Sequence, residues 1–148
     1  MNAPRAAAAA ALAALLLGGC VSPSRTDGDY ARKAANTAEA VSSSLNSVKL
    51  GADAARDHKV FGPYLSRLVA EAEDDALAAQ QAFDAVQPPS GAADTVHDHL
   101  DTLLKDALDL LRDARLAARR GQLQAVAALS DKLSKQADAL DAFEEHPA

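Results

Sequence analysis

The chain has 148 residues, a net charge of −6, one cysteine, and 3% aromatic residues with no Trp. That length holds one domain and excludes two of ordinary size. The acidic balance excludes a nucleic-acid-binding protein, which would show a basic face, and so few aromatics leave no stacking platform for bases or sugars.

Residues 1–5 carry a single charge, Arg5, and from Ala6 to Leu17 every residue is Ala or Leu. A basic head, an apolar middle and then small residues are the pattern of a secretory signal peptide. The run is short of the ~20 residues a spanning helix needs and breaks at Ser22-Pro23. Its end, Leu17-Gly18-Gly19-Cys20, resembles the lipobox of bacterial lipoproteins, a Leu and two small residues before an obligatory Cys. The resemblance implies cleavage between Gly19 and Cys20, a diacylglycerol on the Cys20 thiol and a membrane anchor of two or more chains, durable where one chain is marginal. One cysteine in an exported chain has no internal disulfide partner, so a separate task for Cys20 is the simpler account. The expected organisation is a signal peptide over 1–19, the lipidated Cys and a polar tether over 20–29, and a helical domain over 30–146.

Thr26 followed by Asp29 has capping-box spacing with Asp in place of Glu, so a first helix is expected over about 28–59. Its apolar residues (Ala31, Ala34, Ala38, Val41, Leu45, Val48, Ala52 and Ala55) alternate three and four apart on one narrow stripe of mostly small side chains. Gly62-Pro63 breaks the chain, and Pro63 suits the first turn of a second helix over 63–87, with Leu65, Leu68, Ala72, Ala76, Ala79, Phe83 and Val86 inward. Pro88-Pro89-Ser90-Gly91 separates it from a third helix over 94–120, capped by Asp94 or Thr95. The third stripe is the strongest: Val96, Leu100, Leu103, Ala107, Leu110, Ala114 and Ala117, widened by Leu104, Leu108 and Leu111. Gly121 supplies a left-handed cap after Arg119 and Arg120. A fourth helix follows over 122–145 with Leu123, Val126, Leu129, Leu133, Ala137, Leu140 and Phe143 inward. No segment alternates like a strand. The expected fold is all-α, an up-down-up-down four-helix bundle after the N-terminal anchor segment.

That topology places the 59–63 and 119–122 turns at the tip far from the tether. Arg56, Lys59, Arg67, Arg115, Arg119 and Arg120 gather there, while Asp27, Asp29, Asp84, Asp94, Asp98, Asp101, Glu144 and Glu145 gather at the near end. Cations at helix C-termini and a solvated acidic surface account for most such patterns. The functional alternative is a basic tip, with Arg119, Arg120 and Lys59, that docks an envelope protein or an anionic wall polymer. Phe61 and Tyr64 beside Gly62-Pro63 are expected to pin the turn to the core; otherwise they form a small apolar contact at the same tip. The Ala-rich first helix offers a further option, pairing with a second copy as a dimer.

The densest ligand cluster is Asp94 to Asp101, where Asp94, His97 and Asp101 share one helix face. A solvated helix start is the favoured reading there, and a weak metal site the other. With five Glu and no Glu-x-x-His, the di-metal bundle pattern is not met. There is no Cys-x-x-Cys-His, no Gly-x-Ser-x-Gly and no phosphate-binding glycine loop, so no cofactor and no catalytic residue is expected. The expectation is a non-enzymatic lipoprotein, exported and anchored on the outer face of the cell membrane, or in the outer membrane of a two-membrane cell. Its bundle would be a structural or protein-interaction module. The alternative is a small-ligand or metal-binding lipoprotein that uses an inter-helix pocket or the Asp94/His97/Asp101 face.

Overall fold

The structure, a computed structural model, describes residues 24–147. Residues 1–23, with Gly19 and Cys20 of the lipobox-like segment, lie outside the described residues. The elements are α1 (Asp27–Arg56), α2 (Gly62–Asp84), α3 (Gly91–Arg119), the short α4 (Leu123–Ala127) and α5 (Ser130–Glu145). No strand occurs among the described residues. The chain is an all-α four-helix bundle whose fourth helix comes in two pieces.

Thr26 caps α1, its hydroxyl accepting from the Asp29 N–H at 3.1 Å. Asp29 pairs with Arg32, one turn on. At α3 the cap is Ser90 and not Asp94 or Thr95: Ser90 Oγ accepts from the Ala93 N–H at 3.3 Å and donates to Asp27 Oδ1 at 2.7 Å. That second bond joins the start of α3 to the start of α1, which a local reading of capping residues does not reveal. Gly121, at φ 69°, and His58, at φ 56°, both take the left-handed conformation just past a helix end. The following amides then reach back five residues, Gln122 N–H to Ala117 O at 2.9 Å and Lys59 N–H to Ala54 O at 2.8 Å. Both far-tip helix ends are therefore closed by the same Schellman motif.

The break in the fourth helix has a long-range cause. Arg56 Nη2 donates to the Ala127 carbonyl at 3.2 Å, taking an oxygen that a continuous helix would spend on its own ladder. Three residues on, Ser130 Oγ donates to Asp53 Oδ1 at 2.6 Å. Two side chains one turn apart on α1 thus hold both sides of the step, and apolar periodicity runs through it undisturbed.

α1 is the central element and packs against each of the other four. α5 and α2 make the most extensive contacts with it, and α3 also packs on it, with Ala107, Ala114 and Ala118 buried in the shared core. Small side chains on facing stripes let the backbones approach closely. Gly51 sits tightly against α2: a Cβ there would lie 2.8 Å from Leu65 Cδ1 and 2.9 Å from Leu68 Cδ2. The α3 stripe is rotated relative to expectation, with Leu104, Leu111 and Ala118 fully inside and Leu103, Leu110 and Ala117 half-buried. The wide apolar face permits either rotation, and packing against α1, α2 and α5 together selects this one.

Candidate docking site at the far tip

The turn between α1 and α2 begins the site. Val60 precedes the α2 N-cap, Phe61, and Leu65 lies four residues into the helix; these are the hydrophobic-staple positions, and both side chains turn inward. With Val60 and Leu65 holding the turn, Phe61 and Tyr64 are left outside. Phe61 is 84% exposed and Tyr64 62% exposed, so the expectation that they pin the turn to the core is overturned. Leu50, one helical position off the buried stripe of α1, is 69% exposed beside them. The three form the rim of a groove of ≈ 400 Å³ between α1 and α2, floored by Gly51, Ala54 and Leu68. Lys59 stands at its edge with Nζ 2.9 Å from Asp57 Oδ2. Leu50, Phe61 and Tyr64 are the most exposed large apolar side chains among the described residues, and clustered exposed apolar surface is a common feature of interaction sites.

The comparisons add no name to this geometry. No protein-family model, no curated protein and no solved structure matches the chain. What the site can do is therefore read from its own chemistry.

The far tip is less basic than the charge count suggests. Arg56 lies 3.3 Å from Asp53, Lys59 pairs with Asp57, Arg67 with Glu71 at 2.8 Å, and Arg115 with Glu73. Arg119 and Arg120, both exposed at the end of α3, have no ion-pair partner among the described residues. Positive charge at the tip thus reduces largely to that pair. Asp53, near the end of α1, joins Lys49, Arg56 and Ser130. The Lys49 ammonium at 2.8 Å and the Ser130 hydroxyl hold its carboxyl below the usual carboxylate range.

The near end assembles differently from the metal-site alternative. His97 stacks on Phe83, ring centroids 5.8 Å apart, with Nδ1 3.5 Å from Asp98 Oδ1. Asp101 accepts from Lys105 Nζ at 2.6 Å, and Asp94 is exposed in the first turn of α3. Among the described residues no three His, Cys, Asp or Glu side chains are grouped to hold a metal ion, so Asp94, His97 and Asp101 do not converge on one. His99 meets the edge of Phe143 at 5.1 Å.

Sequence reasoning missed two residues. Leu50 was detectable as a large apolar side chain off the stripe. Tyr30 was not: it is fully buried against Phe83, centroids 5.3 Å apart, and its hydroxyl has no partner among the described residues. Burial, then the nearby Asp84, Asp94 and Asp98 carboxylates, push its phenol up to about 12.

Proposed function

We propose that the chain is an exported lipoprotein, anchored through lipid on Cys20 to the outer face of its membrane, whose bundle is a non-enzymatic module for docking a protein partner. The observation that carries the docking role is the groove at Leu50, Phe61 and Tyr64, apolar and exposed at the far tip. α1 starts at Asp27 and the groove is centred on Gly51, so at 1.5 Å per residue the groove stands roughly 36 Å beyond the start of the helix. The lipobox-like segment precedes that start, so an anchor there leaves the groove facing away from the membrane. Such a module needs no chemistry of its own.

The test is a photoreactive side chain placed at Phe61 in living cells, with Leu77, 40% exposed farther along α2, as the control site. A discrete adduct from position 61 alone, lost together with membrane attachment in Cys20→Ala, is expected. Equal adducts from both positions, or none, would sink the docking role; an adduct indifferent to Cys20→Ala would sink the anchor.

One observation favours a small-ligand reading. A second cleft, ≈ 510 Å³ and mostly apolar, opens at the near end between Gly28, Ala31, Ala93, Val96 and Pro147. A melting shift with apolar small molecules that disappears in Ala93→Glu would promote it.

A further inference from the structure

The groove has a neighbour. A cleft of ≈ 740 Å³ runs between α2 and α3, lined by Pro63, Arg67, Glu73, Arg115 and Arg119 among others. The first turn of α2 is the wall between the two, with Tyr64 on the groove side and Pro63 on the cleft side. One side of the wall offers exposed apolar surface; the other, which also carries Glu73 and Asp74, ends at Arg119, with the exposed Arg120 next in the chain, and neither arginine has an ion-pair partner among the described residues. The wall itself has no acidic residue in its first turn and no side-chain cap, so the positive end of its dipole is uncompensated.

We propose that the tip binds a protein segment in which a bulky apolar anchor is followed by acidic residues. The anchor fills the groove at Leu50, Phe61 and Tyr64, and the carboxylates cross the start of α2 to reach Arg119 and Arg120. This rests on the docking role proposed above and adds the chemistry of the partner. Charge complementarity selects the acidic half. The apolar half selects protein, because an anionic polysaccharide would satisfy the arginines and leave the groove in water. A second copy docking tip to tip would set Arg119 and Arg120 against their equivalents, so charge disfavours it.

The full-length protein in detergent micelles is panned with a random-peptide display library, beside Phe61→Ala and the double variant Arg119→Glu/Arg120→Glu. Enriched peptides should pair a Leu, Phe or Trp with neighbouring Asp or Glu. A labelled representative should bind each variant about tenfold more weakly and lose affinity as salt rises. Peptides that need Phe61 but carry no acidic bias would overturn the acidic partner and leave the docking role standing. No enrichment, or enrichment indifferent to Phe61, would overturn both. Purified anionic wall polymer that binds through the arginines regardless of Phe61 would replace the protein segment as occupant.

Discussion

His58 holds a backbone conformation, φ 56°, that costs a side-chain-bearing residue on the order of 1 kcal/mol and glycine almost nothing. His58→Gly should therefore raise stability, by up to about 1 kcal/mol in urea unfolding, while Gly121→Ala at the sister position should lower it by a similar amount. Tyr30 carries a buried hydroxyl with no partner among the described residues. Tyr30→Phe removes an unpaired polar group, so its melting temperature should be equal or higher; a clear fall would reveal an unseen partner. The phenol is held neutral with a pKa of about 12, above its unfolded value near 10. Its contribution is thus complete below pH ~10 and lost as the pH rises from ~10 towards 12. Ultraviolet titration of a Tyr64→Phe variant, which keeps Tyr30 as the single phenol, reads this directly.

At the scale of elements, Asp53 and Gly51 lie on one stretch of α1 and hold different neighbours. Asp53→Ala leaves the buried Ser130 hydroxyl without its acceptor and should cost about 1–3 kcal/mol at neutral pH. The folded-state pKa of Asp53 is depressed, so this stability is present above pH ~4 and lost as the pH falls through the folded value. The gap between wild type and Asp53→Ala should accordingly narrow in acid; a gap constant from pH 7 to pH 3 would contradict the ion-pair account. Gly51→Leu would drive a side chain into Leu65 and Leu68. Overpacking of that kind costs about 1–3 kcal/mol, against up to about 1 kcal/mol regained in helix propensity. A net loss is expected, with Gly91→Ala, where nothing lies within 4 Å of the added carbon, as the harmless control.

For the whole molecule, the two ends differ in what their side chains contact. At the near end Ser90 is bonded to Asp27, and His97 and His99 make ring contacts with Phe83 and Phe143. The far tip leaves three large apolar side chains and two arginines uncommitted. Arg119→Glu/Arg120→Glu should cost no more than about 1–2 kcal/mol of stability, chiefly through the helix dipole, while removing the tip's excess positive charge. Calorimetry on the variant checks this, and a larger loss would mean that the arginines are structural.

Local sequence determined the four-helix plan, because a period of 3.6 apolar residues needs only neighbours along the chain to be recognised, and Pro63 and Gly121 mark helix ends through their own backbone limits. It also carried the lipobox-like segment and the arginines of the tip. Tertiary structure alone decided the rest. The helix break after Ala127 depends on Arg56 and Asp53, some seventy residues away in sequence. The rotation of α3 depends on which of two apolar rows its packing partners α1, α2 and α5 enclose. Phe61 and Tyr64 read as core until Val60 and Leu65 are seen to occupy the inward positions. Whether an apolar side chain is buried is a property of what packs over it, and that neighbour is seldom its neighbour in sequence.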